Sequence, residues 1–183
     1  MVGLTHFFDN GFAGSAHGVT KGGLTLVGRE LVKRMVDLGI MIDLAHLSPT
    51  AIDDVLGLVD VPTVVSHTGV KGTCDNPRNL SDDHVRAIAA GGGVIGIGFF
   101  RMAVCGTGPD DIVAAMLHVI NLVGADHVAL GSDFDGGVTT AFDVSQLAFV
   151  TQAMVDAKLS DEEIVKILGG NTVRVMRQVL PAV

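Results

Sequence analysis

Ile40-Met-Ile-Asp-Leu-Ala-His46 decides the fold. It is an apolar run of strand length, too short for a helix, that stops on an imidazole and is followed by Ser48-Pro49, a helix opening. A short apolar run of this kind reads as a buried parallel strand rather than a half-exposed alternating one. Three further segments have the same form: Val2-Gly-Leu-Thr-His6, Pro62-Thr-Val-Val-Ser-His67 and His127-Val-Ala-Leu-Gly-Ser-Asp133. Each places a histidine or aspartate where the apolar run ends.

Helical patterns lie between them. Leu24, Val27, Leu31, Met35 and Leu38 recur at three- and four-residue steps, and Gly39 is a stop. Ser48-Pro49, Ser81-Asp82-Asp83 and Pro109-Asp110-Asp111 each open a helix with a cap, a first-turn proline or early acids. Asp143 begins a fifth helix, Ser160-Asp-Glu-Glu163 is a capping box for a sixth, and Gly169-Gly170 separates it from a last helix ending near Pro181. Strands are expected at 2–6, 40–46, 62–67, 94–98 and 127–133.

This alternation predicts an α/β protein with a parallel sheet. A doubly wound sheet normally carries a glycine-rich phosphate turn after its first strand, and His6-Phe-Phe-Asp-Asn stands there instead. The expectation is therefore a partial (β/α)8 TIM-type barrel of about five strands in a single domain over 1–183. A closed barrel takes eight strands and about 250 residues. The chain opens almost at once on a strand, which predicts that N-terminal strands are missing.

Bulk properties narrow the partners. Twelve basic residues face 20 acidic ones, a formal charge of −8, which disfavours nucleic acid and anionic membrane surfaces. Mean hydropathy is +0.50, yet no apolar stretch reaches the ~18 residues of a membrane span. No basic region followed by an apolar core and cleavage site opens the chain, and both cytoplasm and periplasm are compatible with it. Cys74 and Cys105 read as two free thiols or as a bridge; closing a loop of about thirty residues would contribute roughly 3–4 kcal/mol.

In a barrel all strand ends of one polarity meet at one face, where barrel enzymes keep their chemistry. His46 and His67, ending neighbouring strands, are candidate ligands of one zinc ion, with Ser48, Ser66 and Thr68 available to orient them. Asp133 can exchange a proton with a water beside such a metal, and is preferred to Asp135, a turn residue before Gly136-Gly137. His6 is a third ligand or a donor to a substrate carbonyl. Arg78, in the loop after the His67 strand, has the fork that suits a carboxylate but reads alone as a surface residue. His17, His84, His118 and His127 read as solvated.

Together Leu4-Thr-His6, Gly39-Ile-Met-Ile-Asp-Leu-Ala-His46, Val65-Ser-His67, Pro77-Arg-Asn79 and Gly131-Ser-Asp-Phe-Asp-Gly136 resemble the membrane (renal) dipeptidase family, zinc peptidases of the amidohydrolase-like barrel superfamily. The segments keep the family's order and cover essentially the whole chain. The resemblance implies that His46 and His67 bind one zinc of a binuclear pair, His6 contacts the substrate carbonyl, Arg78 binds the dipeptide carboxylate, and Asp133 is the acid/base. It also implies a Cys74–Cys105 disulfide, as some members carry. Family members add a His-x-Asp pair on their first strand and a bridging glutamate on a later one. This chain has neither, since Glu30, Glu162 and Glu163 all fall on helices.

The expected function is thus a zinc-dependent dipeptidase, impaired in a chain that represents the C-terminal part of the barrel. Two alternatives stand beside it. One is a barrel hydrolase of lactones, cyclic amides or phosphoesters bridged by a carboxylated lysine, although Lys21, Lys33, Lys71, Lys158 and Lys166 all lie away from strand ends. The other is a non-catalytic partial barrel that self-associates as a homo-oligomer through its open edges.

Overall fold

The computed structural model describes residues 1–181. Five strands form one parallel sheet in sequential order: β1 (Val2–Gly3), β2 (Ile42–Asp43), β3 (Val64–Thr68), β4 (Val94–Ile97) and β5 (Val128–Leu130). The sheet is not closed: β1 and β5 each have a single strand neighbour. Helices α1 (Leu26–Asp37), α2 (Pro49–Leu56), α3 (Asp82–Ala90) and α5 (Pro109–Val123) follow successive strands, as a partial (β/α) barrel requires.

The helix boundaries follow from the capping residues. Thr25 accepts from the Gly28 amide to start α1, and Gly39 follows its end at φ 63°, a left-handed conformation that glycine adopts without strain. Ser48 and Ser81 cap α2 and α3 through the amides of Ala51 and His84. Inside, Ile42, Ile95, Ile97 and Val128 are wholly buried with Val32, Ile88 and Ile112 from the helices, each worth about 1.5–3 kcal/mol relative to exposure.

Several expected elements are differently bounded. The strands are shorter than the apolar runs, because the chain turns out of the sheet before His6, His46 and Asp133, the last two at left-handed φ of 66° and 59°. A short helix α4 (Arg101–Val104) was not expected. Asp143 caps a 3-10 turn, Val144–Gln146, and the fifth expected helix is α6 (Ala148–Asp156). The Ser160–Glu163 capping box starts α7 (Asp161–Val165), which runs through a π-helical segment, Lys166–Gly170, into α8 (Asn171–Val179). Within that segment Gly169 leaves helical geometry (φ 169°, ψ −19°) and kinks the chain, so the glycine pair separates the last helix from α7 as expected.

Helix α8 lies across the N-terminal ends of the strands. Asn171 Nδ2 donates to the carbonyls of Ala125 (2.7 Å) and Val128 (2.8 Å), and Arg174 to those of Gly92 and Asp126. Val175 and Val179 pack there with Val64, Val94, Ala129 and Met41. That end is closed, so the opposite end carries the open loops. No helix of the described residues is long and apolar enough to cross a membrane.

Candidate active site

At the C-terminal ends of the strands, a cavity of about 300 Å³ is walled by His6, His17, His46, His67, Arg78 and Asp133, with Phe7, Phe100, Met102 and Val138 among its apolar surfaces. Four of these six polar residues, His6, His46, His67 and Asp133, are the ones the strand-end pattern singles out, and Arg78 is the one the family resemblance adds. His17 is not: it reads as solvated in sequence, but the loop after β1 folds back and puts it on the wall.

That fold-back has a clear cause. The Asp9 carboxylate accepts from the amides of Ser15 and Thr20 and from the Thr20 hydroxyl, and these bonds hold its pKa down at about 2. Ser15 Oγ then donates to the His6 carbonyl (2.6 Å), and the Ala16 amide to the His46 carbonyl (2.8 Å). His17 follows at once, its ring 5.4 Å from His46 and 5.0 Å from Phe7 between centroids. Its Nε2 is buried with no hydrogen-bond partner.

His46 and His67 face each other, Nε2 to Nε2, at 2.9 Å. His67 lies within β3 at a bulge: Val65 pairs with Ile95 and Thr68 with Ile97, so three steps on β3 match two on β4. Bulges re-aim side chains in this way near functional sites. Ser66 Oγ lies 2.9 Å from His67 Nδ1, the orienting contact its position suggests. Ser48 and Thr68 do other things: Ser48 donates to the Gly22 carbonyl, and Thr68 meets Arg78. His46 Nδ1 is buried and unpartnered. Burial first, then the nearby Arg78 charge, pushes the His46 pKa down to about 3 and lowers that of His67, so both rings are neutral near pH 7.

The His46 loop is held by Asp43, which the sequence reading passed over. Its Oδ1 accepts from the amides of Ala45 (3.0 Å) and Ser66 (2.9 Å), tying the end of β2 to β3. An aspartate inside an apolar strand, flanked by residues that must turn, is the signal that could have exposed it.

Arg78 is not a surface residue. It is 8% exposed, and its guanidinium donates to the His67 carbonyl (2.7 Å) and the Thr68 hydroxyl (3.3 Å). Among the described residues it has no carboxylate partner within ion-pair distance. Burial lowers its pKa to about 10, but it stays charged. A buried, unpaired guanidinium on a cavity wall is costly unless an anion enters.

Asp133 reaches the wall from the turn after β5. The Gly136 amide donates to its carbonyl (2.9 Å), and a Cβ at Gly136 would collide with its carboxylate. Asp135 is exposed and off the wall. His84 and His118 instead contact Asp53 and Asp82, and His127 Nδ1 contacts the Gly93 carbonyl. Cys74 and Cys105 are joined in a disulfide that ties the Arg78 loop to the segment after β4.

As a metal site the pair of neutral imidazoles fits two nitrogen ligands. Among the described residues no three of the His, Cys, Asp and Glu side chains converge to hold an ion, and Glu30, Glu162 and Glu163 lie on α1 and α7.

Comparison with known proteins agrees with this geometry. Residues 1–182 match the model of the membrane dipeptidase family, peptidase family M19. Dipeptidase verJ of Clonostachys rogersoniana is 34% identical over 97% of this chain and 48% of its own length. An uncharacterized dipeptidase of Schizosaccharomyces pombe is 32% identical over 97% and 46%. Among solved structures, the probable dipeptidase PvdM of Pseudomonas aeruginosa superposes with TM-score 0.89 at 26% identity, over 97% of this chain and 62% of that one. A metallo peptidase from Rhodobacter sphaeroides, liganded with a phosphinate mimic of L-Ala-D-Ala, gives 0.84 at 30%, over 94% and 52%. The chain spans about half the length of these two curated relatives. With its open parallel sheet and its histidine-lined cavity, this chain belongs to the membrane dipeptidase family of metallopeptidases, M19.

Proposed function

We propose that the cavity is the substrate-binding half of a zinc-dependent dipeptidase. The observation that carries the reading is Arg78: a buried guanidinium without a carboxylate, on the same wall as the facing His46–His67 pair and Asp133. A dipeptide supplies the missing anion, its C-terminal carboxylate. Anchored there by its C-terminus, the substrate places its last peptide bond beside the histidines of the same cavity.

His46 and His67 would hold zinc through Nε2, with His67 Nδ1–H donating to Ser66 Oγ to fix that tautomer. Zinc, when bound, supplies Lewis-acid polarisation and an acidified water. His6 donates a hydrogen bond to the scissile carbonyl oxygen as negative charge grows on it. Asp133 takes a proton from the attacking water and returns it to the leaving amine. Phe7, Phe100 and Met102 supply the apolar surface of the cavity.

By itself the chain is impaired on this reading, since two imidazoles hold zinc more weakly than three or four ligands. Zinc content and dipeptide hydrolysis of the purified chain are the test. Weak, substoichiometric zinc with little turnover is expected; tight zinc with brisk turnover sinks the impairment, and absence of dipeptide binding sinks the dipeptidase reading.

The open sheet favours a second reading, self-association. Met1 and Val2 at the β1 edge are 57% and 42% exposed, and unpaired edges invite pairing. Light scattering on the eluting chain separates the two, a clean monomer counting against association.

A further inference from the structure

Arg101 is a second guanidinium on the cavity wall. It opens α4 directly after Phe100 and is exposed, and its guanidinium makes no hydrogen bond or ion pair among the described residues. Its segment is fixed to the Arg78 loop. Asn76 Nδ2 donates to the Met102 carbonyl (2.8 Å), Asn79 Nδ2 to that of Ala103 (2.9 Å), and the Cys74–Cys105 disulfide joins the same two stretches. Gly69 permits the approach, since a Cβ there would strike the Ala103 carbonyl. The two arginines thus belong to one braced wall.

The charge of that wall runs against the molecule. The chain carries −8 overall, yet the cavity presents Arg78 and Arg101 against one carboxylate, Asp133. One arginine answers one carboxylate. A second, planar and unpaired on the adjoining segment, suits a second carboxylate on the same ligand.

We propose that Arg101 makes this cavity selective for dipeptides whose C-terminal residue is acidic, the main-chain carboxylate bound by Arg78 and the side-chain carboxylate by Arg101. The inference rests on the dipeptide reading above and adds the substrate class to it. Asparagine in place of aspartate keeps the shape and removes the charge, so the comparison isolates this contact.

The test is calorimetric binding of Ala-Asp and Ala-Asn to the 183-residue chain at low salt, without metal. Ala-Asp is expected to bind about tenfold more tightly, a preference that shrinks as salt screens the exposed arginine. In Arg101→Met the ratio falls to about one, the loss falling on Ala-Asp, whereas Arg101→Lys keeps part of it. Circular dichroism confirms that both variants fold. Asp-Ala and Asn-Ala are expected to bind alike. Equal binding of Ala-Asp and Ala-Asn, a ratio that survives Arg101→Met, or an equal preference for Asp-Ala overturns the inference while the dipeptide reading stands. Unaltered binding of both ligands to Arg78→Met, or no binding of any dipeptide, overturns that reading and the inference together.

Discussion

The two ends of the sheet obey different rules. At the N-terminal end, α8 closes the strands with buried valines, and Asn171 and Arg174 spend their donors on four backbone carbonyls. At the C-terminal end, Thr5 Oγ1, His17 Nε2 and His46 Nδ1 are buried without partners, Arg78 is buried without a counter-ion, and His46 and Asp133 sit at left-handed φ. Of the buried unpartnered side-chain atoms among the described residues, only Arg174 Nε lies at the closed end. One end is built for stability and the other carries strain and unmet polar demand, which persist where the surroundings over-determine them.

If the open end is strained, it should depend on its cross-link. The disulfide spans 31 residues, so Cys74→Ser with Cys105→Ser is expected to lower the urea-unfolding free energy by about 3–4 kcal/mol on the chain-entropy model. A loss under about 1 kcal/mol would mean that the loops hold themselves together and the contrast fails.

Acid should strike the same end. With its folded pKa near 3 against 6.5, His46 is neutral in both states above pH 6.5 and contributes nothing to the pH dependence there. As pH falls below 6.5 the unfolded chain takes up a proton that the folded one refuses, so stability is lost down to about pH 3. Between pH 6.5 and 4 the loss is roughly 3 kcal/mol. Urea unfolding of the metal-free chain across that range, beside His46→Asn, isolates it; parallel curves for the two proteins would show that the ring is freely protonated.

At the closed end the sensitive residue is a neutral amide. Asn171→Leu strands the carbonyls of Ala125 and Val128, a cost of about 2 kcal/mol, with no effect on dipeptide affinity. Any weakening of binding would show that the two ends are coupled.

The fold was legible because its signals are local. Caps at Ser48, Ser81 and Ser160, and apolar runs of strand length, fix the alternation and hence the parallel sheet. What escaped was set by contacts distant in sequence. His17 is on the wall because Asp9 gathers the amides of Ser15 and Thr20, and a polar loop gives no period from which to read that. Arg78 was recognisable through resemblance alone, since its burial depends on backbone acceptors of β3. The bulge that aims His67 is a two-strand property and cannot be seen in either strand by itself.

Arg78 sharpens the contrast most, because stability and binding should part company there. Replacing it by methionine removes two hydrogen bonds, to His67 and Thr68, and also removes a buried cation that lacks a partner. These effects oppose each other, and exchange of a buried charge for an apolar side chain is often neutral or better. The expected change in unfolding free energy is within about 1 kcal/mol of zero, smaller than for Asn171→Leu although both residues are buried. Dipeptide binding should nevertheless fall below detection, since the anion loses its only buried donor of positive charge on that wall. A large loss of stability in Arg78→Met would make the residue a structural brace, and the unmet charge of the cavity would then be no guide to what it binds.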